Sequence, residues 1–351
     1  MTATNTLDAL LRTRTVPGRF YEKQAGNKVR CYACGHYCSI GEGQAGICKV
    51  RYNRGGVLYV PHGYVAGLAA DPIEKKPFYH VYPGSTAMSF GMLGCDLHCS
   101  YCQNWETSQA LRDPDAGGTI QPISPQSIVE LAKKYNCRVL TSTYNEPLIT
   151  AEWAISVFEE GKKHGLEGSF VSNGNASPEI IRALKPYVKF YKVDLKSFDD
   201  AHYLSLGCKL STVLKSLEQL VSEGFWVEIV TLLVPGFNDS EKELRGMARF
   251  IKSLSEDIPW HLTGFHLDYH MNDGRDTTAA DLKRACKIGV EEGLRFVYAG
   301  NRPGETGEWE HTRCPDCKKI LVERFGFHIM SNHIKDGICP DCQEPIPGFW
   351  E

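Results

Sequence analysis

No run of apolar residues in this 351-residue chain approaches the ~20 that a helix needs to cross a membrane. The stretch from Met1 to Arg14 is polar around Leu7, Leu10 and Leu11 and lacks the apolar core of a secretory signal. Charge of one sign is also missing: 39 Lys and Arg against 42 Asp and Glu leave a net charge of −3. That balance offers no electrostatic footprint for nucleic acid or an anionic membrane. The reading is a cytoplasmic protein with no membrane partner and no nucleic-acid partner. At 42% hydrophobic and 23% charged, the composition is that of a globular chain, long enough for one large domain with small satellites.

Isolated cysteines are scarce as well, although cysteine itself is not. Of fourteen, only Cys137, Cys208 and Cys286 stand alone, and these read as ordinary buried thiols. The others form three groups: Cys31, Cys34, Cys38 and Cys48; Cys95, Cys99 and Cys102; and Cys314, Cys317, Cys339 and Cys342. In a cytoplasmic chain such grouping points to metal ligands and away from disulfides.

The middle group organises the chain. Cys95, Cys99 and Cys102 follow Met88-Ser-Phe-Gly-Met-Leu-Gly94, which reads as a short buried strand running into a glycine loop. Clustered thiolates suit iron–sulfur centres. Three ligands leave one iron of a cubane open, which is where a metal site does chemistry. The plainer reading, cysteines at i, i+4 and i+7 packed on one helix face, is opposed by Gly91 and Gly94 just before them.

The flanking groups read as closed sites. The first four cysteines fall within eighteen positions among glycine turns, with zinc and a second iron–sulfur cluster as the alternatives and His36 as a substitute ligand. The last four form two Cys-Pro-Asp-Cys knuckles 21 residues apart. Zinc is favoured there over a single rubredoxin-like iron, and the metal would stabilise a unit too small to bury a sufficient core. Three domains follow: a Cys-rich module over 1–70, a central domain over 71–301 and a metal ribbon over 302–351. The connector Asp71–Pro83 is proline-punctuated. Its Glu74, Lys75 and Lys76 are most simply solvated, the alternative being that they line the mouth of the active site.

From Met88 onward strands and helices alternate. Strands are predicted over 138–143, 168–172, 188–195, 225–234, 262–267 and 296–300. Helices are predicted over 148–164, from Ser177-Pro178, and over 212–223, 240–254 and 277–292. Such β–α units imply a parallel sheet with right-handed crossovers, six or seven units against the eight of a full (β/α)8 barrel. Cys95, Asn145-Glu146, Ser172-Asn173, Asp194-Lys196, Asn238-Asp239, His266-Asp268 and Asn301 each stand at or just beyond a strand's carboxyl end. That end carries the ligand site in parallel α/β folds. A metal-stabilised interaction scaffold, the rival outside enzymology, leaves both these polar ends and the three-cysteine site unexplained.

CxxxCxxC with Tyr101 before the third cysteine resembles the signature of radical S-adenosylmethionine (SAM) enzymes. The likeness extends from about Ser89 to Asn301 and implies a partial (β/α)6-type TIM barrel. It also implies a [4Fe-4S] cluster on Cys95, Cys99 and Cys102 whose fourth iron binds SAM and reduces it to methionine and a 5′-deoxyadenosyl radical. Thr143-Tyr-Asn-Glu-Pro147 stands where activases of glycyl-radical enzymes carry Gly-Gly-Glu, without the glycines. By that likeness Asn145 and Glu146 are SAM contacts, Glu146 to the ammonium. Ser172-Asn173 resembles the ribose turn, and Asp194-Leu-Lys196 the Asp-x-Lys pair, with Lys196 on the methionine carboxylate. Asn238, in Val234-Pro-Gly-Phe-Asn-Asp239, and Tyr101 would lie near adenine. His266 is placed with them as another strand end.

With Asp71-Pro-Ile-Glu-Lys-Lys-Pro77, Cys102-Gln-Asn-Trp105 and the flanking cysteine groups, the whole resembles the AmmeMemoRadiSam system enzymes, relatives of the pyruvate formate-lyase activases. The resemblance implies an electron donor such as flavodoxin or ferredoxin, and association with Memo-type and Ammecr-type proteins. The expected activity is hydrogen abstraction from an unidentified substrate, with activation of a glycyl-radical partner as the alternative. No residue is assigned as catalytic.

Overall fold

The computed structural model describes residues 3–351; Met1 and Thr2, which begin the polar stretch discussed above, lie outside them. Its centre is an eight-stranded sheet: β1 (Gly67–Pro72), β2 (Thr86–Gly91), β3 (Cys137–Ser142), β4 (Glu167–Ser172), β5 (Phe190–Asp194), β6 (Trp226–Leu233), β7 (Trp260–Gly264) and β8 (Val297–Gly300). They lie in the order β8-β7-β6-β5-β4-β3-β2-β1. Strands β2 to β8 are parallel, and β1 runs antiparallel to β2. This open, curled sheet is the expected partial barrel, with one strand more than expected: β1 begins at Gly67, among residues read as the N-terminal module.

Serine and threonine caps set where the outer helices start. Ser124, Ser177 and Ser240 each accept a backbone N–H of the first turn, and Thr278 forms a capping box with Asp281. The helices are α1 (Pro125–Lys134), α2 (Ala151–Lys162), α3 (Pro178–Leu184), α4 (Asp200–Leu206), α5 (Leu210–Ser222), α6 (Glu241–Leu254) and α7 (Ala279–Glu291). Two of these, α1 and α4, were not expected. The strands alternate as the pleat requires. In β5, Tyr191 and Val193 join the main apolar core, while Lys192 and Asp194 face the barrel interior.

The sheet leaves an open side, filled by the segment Phe78–Tyr82 and the C-terminal ribbon. Glu228 of β6 is fully buried and accepts the N–H groups of Tyr79 (2.9 Å) and His80 (3.0 Å), with His261 Nε2 at 2.7 Å. The ribbon pairs β9 (Ile320–Phe325) with β10 (His328–Asn332). From β9, Arg324 donates to Tyr79 O at 2.9 Å and Thr312 Oγ1 at 2.8 Å, both buried contacts. The turn after β9 brings Phe327 to the barrel's mouth. At the other side, short antiparallel strands build the N-terminal region, and Arg51 grips Glu152 of α2 bidentately at 2.7 and 2.8 Å.

The solvated reading of the connector is corrected for Glu74 and Lys76, while Lys75 is exposed, and both lysines line the cavity as the alternative had it. Glu74 is fully buried and takes the N–H of Gly84 at 2.8 Å. Lys76 is 3% exposed and pairs with Asp71 at 2.7 Å. Glu74's donor is a backbone N–H ten residues on, which composition does not display. Among the described residues no helix is long and apolar enough to cross a membrane.

Candidate active site

The site grows from the loop after β2. Gly91 passes so close to the next strand end that a Cβ there would stand 2.2 Å from Thr143 O. Gly94 takes φ +97°, and a Cβ on it would meet Val50 and the carbonyl of Cys48, so the loop is pressed against the N-terminal module. Asp96 is buried between the first two cysteines of the motif. Its two oxygens accept Asn173 Nδ2 (2.8 Å) and Asn175 Nδ2 (2.9 Å), and His36 Nε2 lies 3.2 Å from its carbonyl. His36 therefore buttresses the loop that carries Cys95.

Cys99 and Cys102 line a cavity of about 390 Å³ with Tyr101, Thr143, Tyr144, Asp194 and Lys196. Leu97 N–H points at Cys95 Sγ (3.4 Å), and Ser108 Oγ is 3.2 Å from Cys102 Sγ. Burial pushes the Cys95 thiol well up and Cys99 up to about 11, with the Lys196 charge opposing the latter. Burial thus works against bare thiolates here, and a cationic metal core would offset it. Among the described residues, no three of these motif sulfurs lie within 4.8 Å of one another. A single tetrahedral ion needs sulfurs under about 4 Å apart, at bonds of about 2.3 Å. Three soft thiolate donors are of the kind an iron–sulfur cluster takes.

The expected SAM contacts fall in four separate places. Tyr101, Asp194 and Lys196 line the cavity; Lys196 Nζ is 3.2 Å from Asp194, and its backbone N–H donates to Tyr203. Asn145, Glu146, Ser172 and Asn173 form a buried polar network instead. Glu146 accepts Ser172 Oγ (2.7 Å), Asn173 N–H (2.8 Å) and Leu148 N–H (3.1 Å), and Asn145 Oδ1 accepts Met92 N–H at 2.9 Å. Burial and the nearby Asp96 charge hold Glu146 well above the usual carboxylate range. Asn238 is fully buried and ties its own loop to Lys196 O (2.7 Å) and Leu232 O (2.8 Å). His266 is exposed and lines a neighbouring cleft of about 690 Å³ beside the ribbon, apart from the cysteines.

Comparison with known proteins decides the family. The radical SAM superfamily model matches residues 91–251. An uncharacterized protein of Methanocaldococcus jannaschii is 37% identical over 331 residues, covering 93% of this chain and 97% of that protein. The chain belongs to the radical SAM superfamily. The choline trimethylamine-lyase activating enzyme of Oleidesulfovibrio alaskensis is 31% identical over 158 residues, 40% of this chain and 51% of that enzyme. The match therefore spans about half the length of that activase. A solved domain of the pyruvate-formate lyase-activating enzyme from Bacteroides vulgatus is 20% identical, covering 46% of this chain and 98% of that domain with a TM-score of 0.41.

A radical SAM chain is an enzyme, and membership implies a [4Fe-4S] cluster and SAM. The four tail cysteines form a group that could hold a metal ion, their sulfurs within 4.8 Å of one another. Several residues of this radical SAM site escape sequence reading. Tyr144 holds φ +73°, a conformation glycine takes freely. Its side chain lies against Gly67 and Gly91 and reaches Asp71 at 3.2 Å. Lys76 and Lys192 face the same cavity. Nothing in the strand text around Lys192 marks it as inward-facing except the alternation counted from Asp194.

Proposed function

We propose that Cys95, Cys99 and Cys102 hold the [4Fe-4S] cluster and that the enzyme abstracts hydrogen from an unidentified small substrate. When bound, cluster and SAM supply reductive cleavage of SAM to methionine and a 5′-deoxyadenosyl radical. The observation that carries the reading is the sharing of one cavity, at the carboxyl ends of parallel strands, by Cys99, Cys102, Tyr101 and Lys196.

The chain's own residues bind and orient. Lys196, fixed by Asp194 and by Asn238 on its carbonyl, offers an ammonium to the methionine carboxylate. Tyr101, with Phe237 5.4 Å away ring to ring, offers an aromatic wall for adenine. Glu146 takes a different role from the one its motif implies. Its oxygens are occupied by Ser172, Asn173 and Leu148, so it braces the Thr143–Glu146 turn whose Thr143 and Tyr144 border the cavity. Ser172 and Asn173 serve the same brace.

For the tail, sulfur separations of 3.4 Å (Cys314–Cys342) and 3.7 Å (Cys317–Cys339) suit a single tetrahedral ion, and zinc is proposed over a rubredoxin-like iron from the paired CxxC knuckles. For Cys31, Cys34, Cys38 and Cys48 a second iron–sulfur cluster is the proposal, with zinc as the alternative. A flavodoxin or ferredoxin is the proposed reductant, the cytoplasm the proposed location, and Memo-type and Ammecr-type proteins remain proposed partners by resemblance. A second reading, glycyl-radical activation of a partner protein, is favoured by the activase relatives. Reduced, reconstituted enzyme incubated with SAM should release 5′-deoxyadenosine, followed by liquid chromatography. Absence of that product from cluster-loaded enzyme overturns the proposal.

A further inference from the structure

Four lysines line the 390 Å³ cavity, Lys75, Lys76, Lys192 and Lys196, against one lining carboxylate, Asp194. Behind them Asp71 takes Lys75 (3.0 Å) and Lys76 (2.7 Å), while Asp194 takes both Lys192 and Lys196. Two carboxylates for four ammonium groups leave two positive charges without a counter-charge. Lys75 is exposed, whereas Lys76 and Lys192 are 3% and 5% exposed and Lys196 is largely covered, so three of the four ammonium groups are poorly solvated. Buried charge of one sign is unfavourable unless an opposite charge joins it.

SAM does not remove this surplus: its carboxylate is outweighed by its ammonium and sulfonium, and the net positive charge left would be cancelled by the single negative charge of an oxidised cluster on three thiolates. A second observation points the same way. Two buried side-chain atoms of the lining have no hydrogen-bond partner, Tyr101 OH and Gln103 Nε2, and both are donors. A ligand that supplies negative charge and several acceptor oxygens meets both needs. Lys76 is also held in place for such a ligand: Asp71 grips it, and Tyr144 OH lies 3.4 Å away.

We propose that the substrate carries an anionic oxyacid group, a carboxylate or a phosphate, bound by Lys76 and Lys192. The inference rests on the radical SAM reading of this cavity and adds the substrate's class to it. Charge-assisted hydrogen bonds to such a group are the strong kind, and two lysines on different walls fix its position.

The test uses full-length, anaerobically reconstituted enzyme saturated with SAM. Inorganic phosphate, succinate and the uncharged succinamide are titrated by calorimetry. At least one anion should bind at least tenfold more tightly than succinamide, and the tighter of the two identifies phosphate or carboxylate. Lys76→Gln and Lys192→Gln should each weaken that binding tenfold or more. Lys76→Arg should restore most of it, and exposed Lys215→Met should change nothing. Cluster absorbance is recorded for every variant, so loss of binding is read only on folded, loaded protein. Anions binding no better than succinamide, or equally well to wild type and both glutamine variants, would overturn the proposal. Failure of the underlying reading shows separately, as wild-type enzyme that takes up no cluster or binds no SAM.

Discussion

Tyr144 OH donates to Asp71 Oδ2 at 3.2 Å across 73 positions of sequence. That bond joins two motifs that look unrelated in the text, Asp71-Pro-Ile-Glu-Lys-Lys-Pro77 and Thr143-Tyr-Asn-Glu-Pro147. It gives the left-handed Tyr144 a partner for its side chain. The backbone keeps the left-handed turn, and the side chain adds a wall to the cavity and a partner to Asp71 and Lys76.

Lys196 is the residue most directly tied to SAM affinity. A charge-assisted hydrogen bond in such a cavity contributes roughly 1.5–3 kcal/mol. Lys196→Met should therefore weaken SAM binding by about one to two powers of ten while leaving iron content unchanged. Titration of SAM followed by the cluster's electron paramagnetic resonance measures it. Wild-type affinity in the variant would return Lys196 to a plain ion pair with Asp194.

Metal analysis separates the three cysteine groups. The Cys95, Cys99 and Cys102 to Ala variant should retain about four irons, the content of one cubane on the N-terminal quartet, together with one zinc on the tail. Zinc should be lost when Cys314 and Cys339 are replaced by Ser, with melting of the ribbon seen by hydrogen exchange. Iron-free triple variant would assign zinc to the N-terminal quartet instead.

Glu74 gives a pH signature. Burial raises it to about 7 from an ordinary 4.5, against the pull of Arg324. Between those values the folded chain holds a proton that the unfolded chain releases, so stability falls as pH rises through the window, by on the order of 1–3 kcal/mol. Above about 7 this contribution is gone. Glu74→Gln should flatten that part of the profile in urea denaturation at a series of pH values; parallel profiles for the two proteins would refute it.

Arg51 and Glu152 form a buried bidentate pair between the N-terminal region and α2. Arg51→Met leaves Glu152 buried and unpaired, and should destabilise the protein by about 3–5 kcal/mol, read as a lowered denaturation midpoint. An unchanged midpoint would mean that water reaches Glu152.

Much of the fold was legible because its signals are local. Ser177-Pro178 and Ser240 announced their helices, and Pro235-Gly236 stopped β6 where expected. Helix α1 carries the same Ser-Pro signature at Ser124-Pro125 and was readable in principle. Strand β1 was not, since Gly67-Leu-Ala-Ala has no β-branched residue and gains its place only by pairing with β2. The cysteine groups were plain from spacing. Of the cavity's lysines, Lys196 was expected and Lys75 and Lys76 stood as an alternative, but Lys192 was hidden, because it acquires meaning only beside Asp194. Likewise Glu228 sits in an apolar strand while its partners Tyr79 and His80 lie about 150 residues earlier.

The central claim is that Cys95, Cys99 and Cys102 hold the cluster that cleaves SAM. Electron paramagnetic resonance of the dithionite-reduced, reconstituted enzyme, recorded with and without SAM, tests it most directly. Wild type should show a [4Fe-4S]⁺ signal that changes shape when SAM is added, and the triple alanine variant should show no SAM-responsive signal. A SAM-responsive signal that survives the triple substitution, or a wild-type protein that takes up only zinc, would contradict the account.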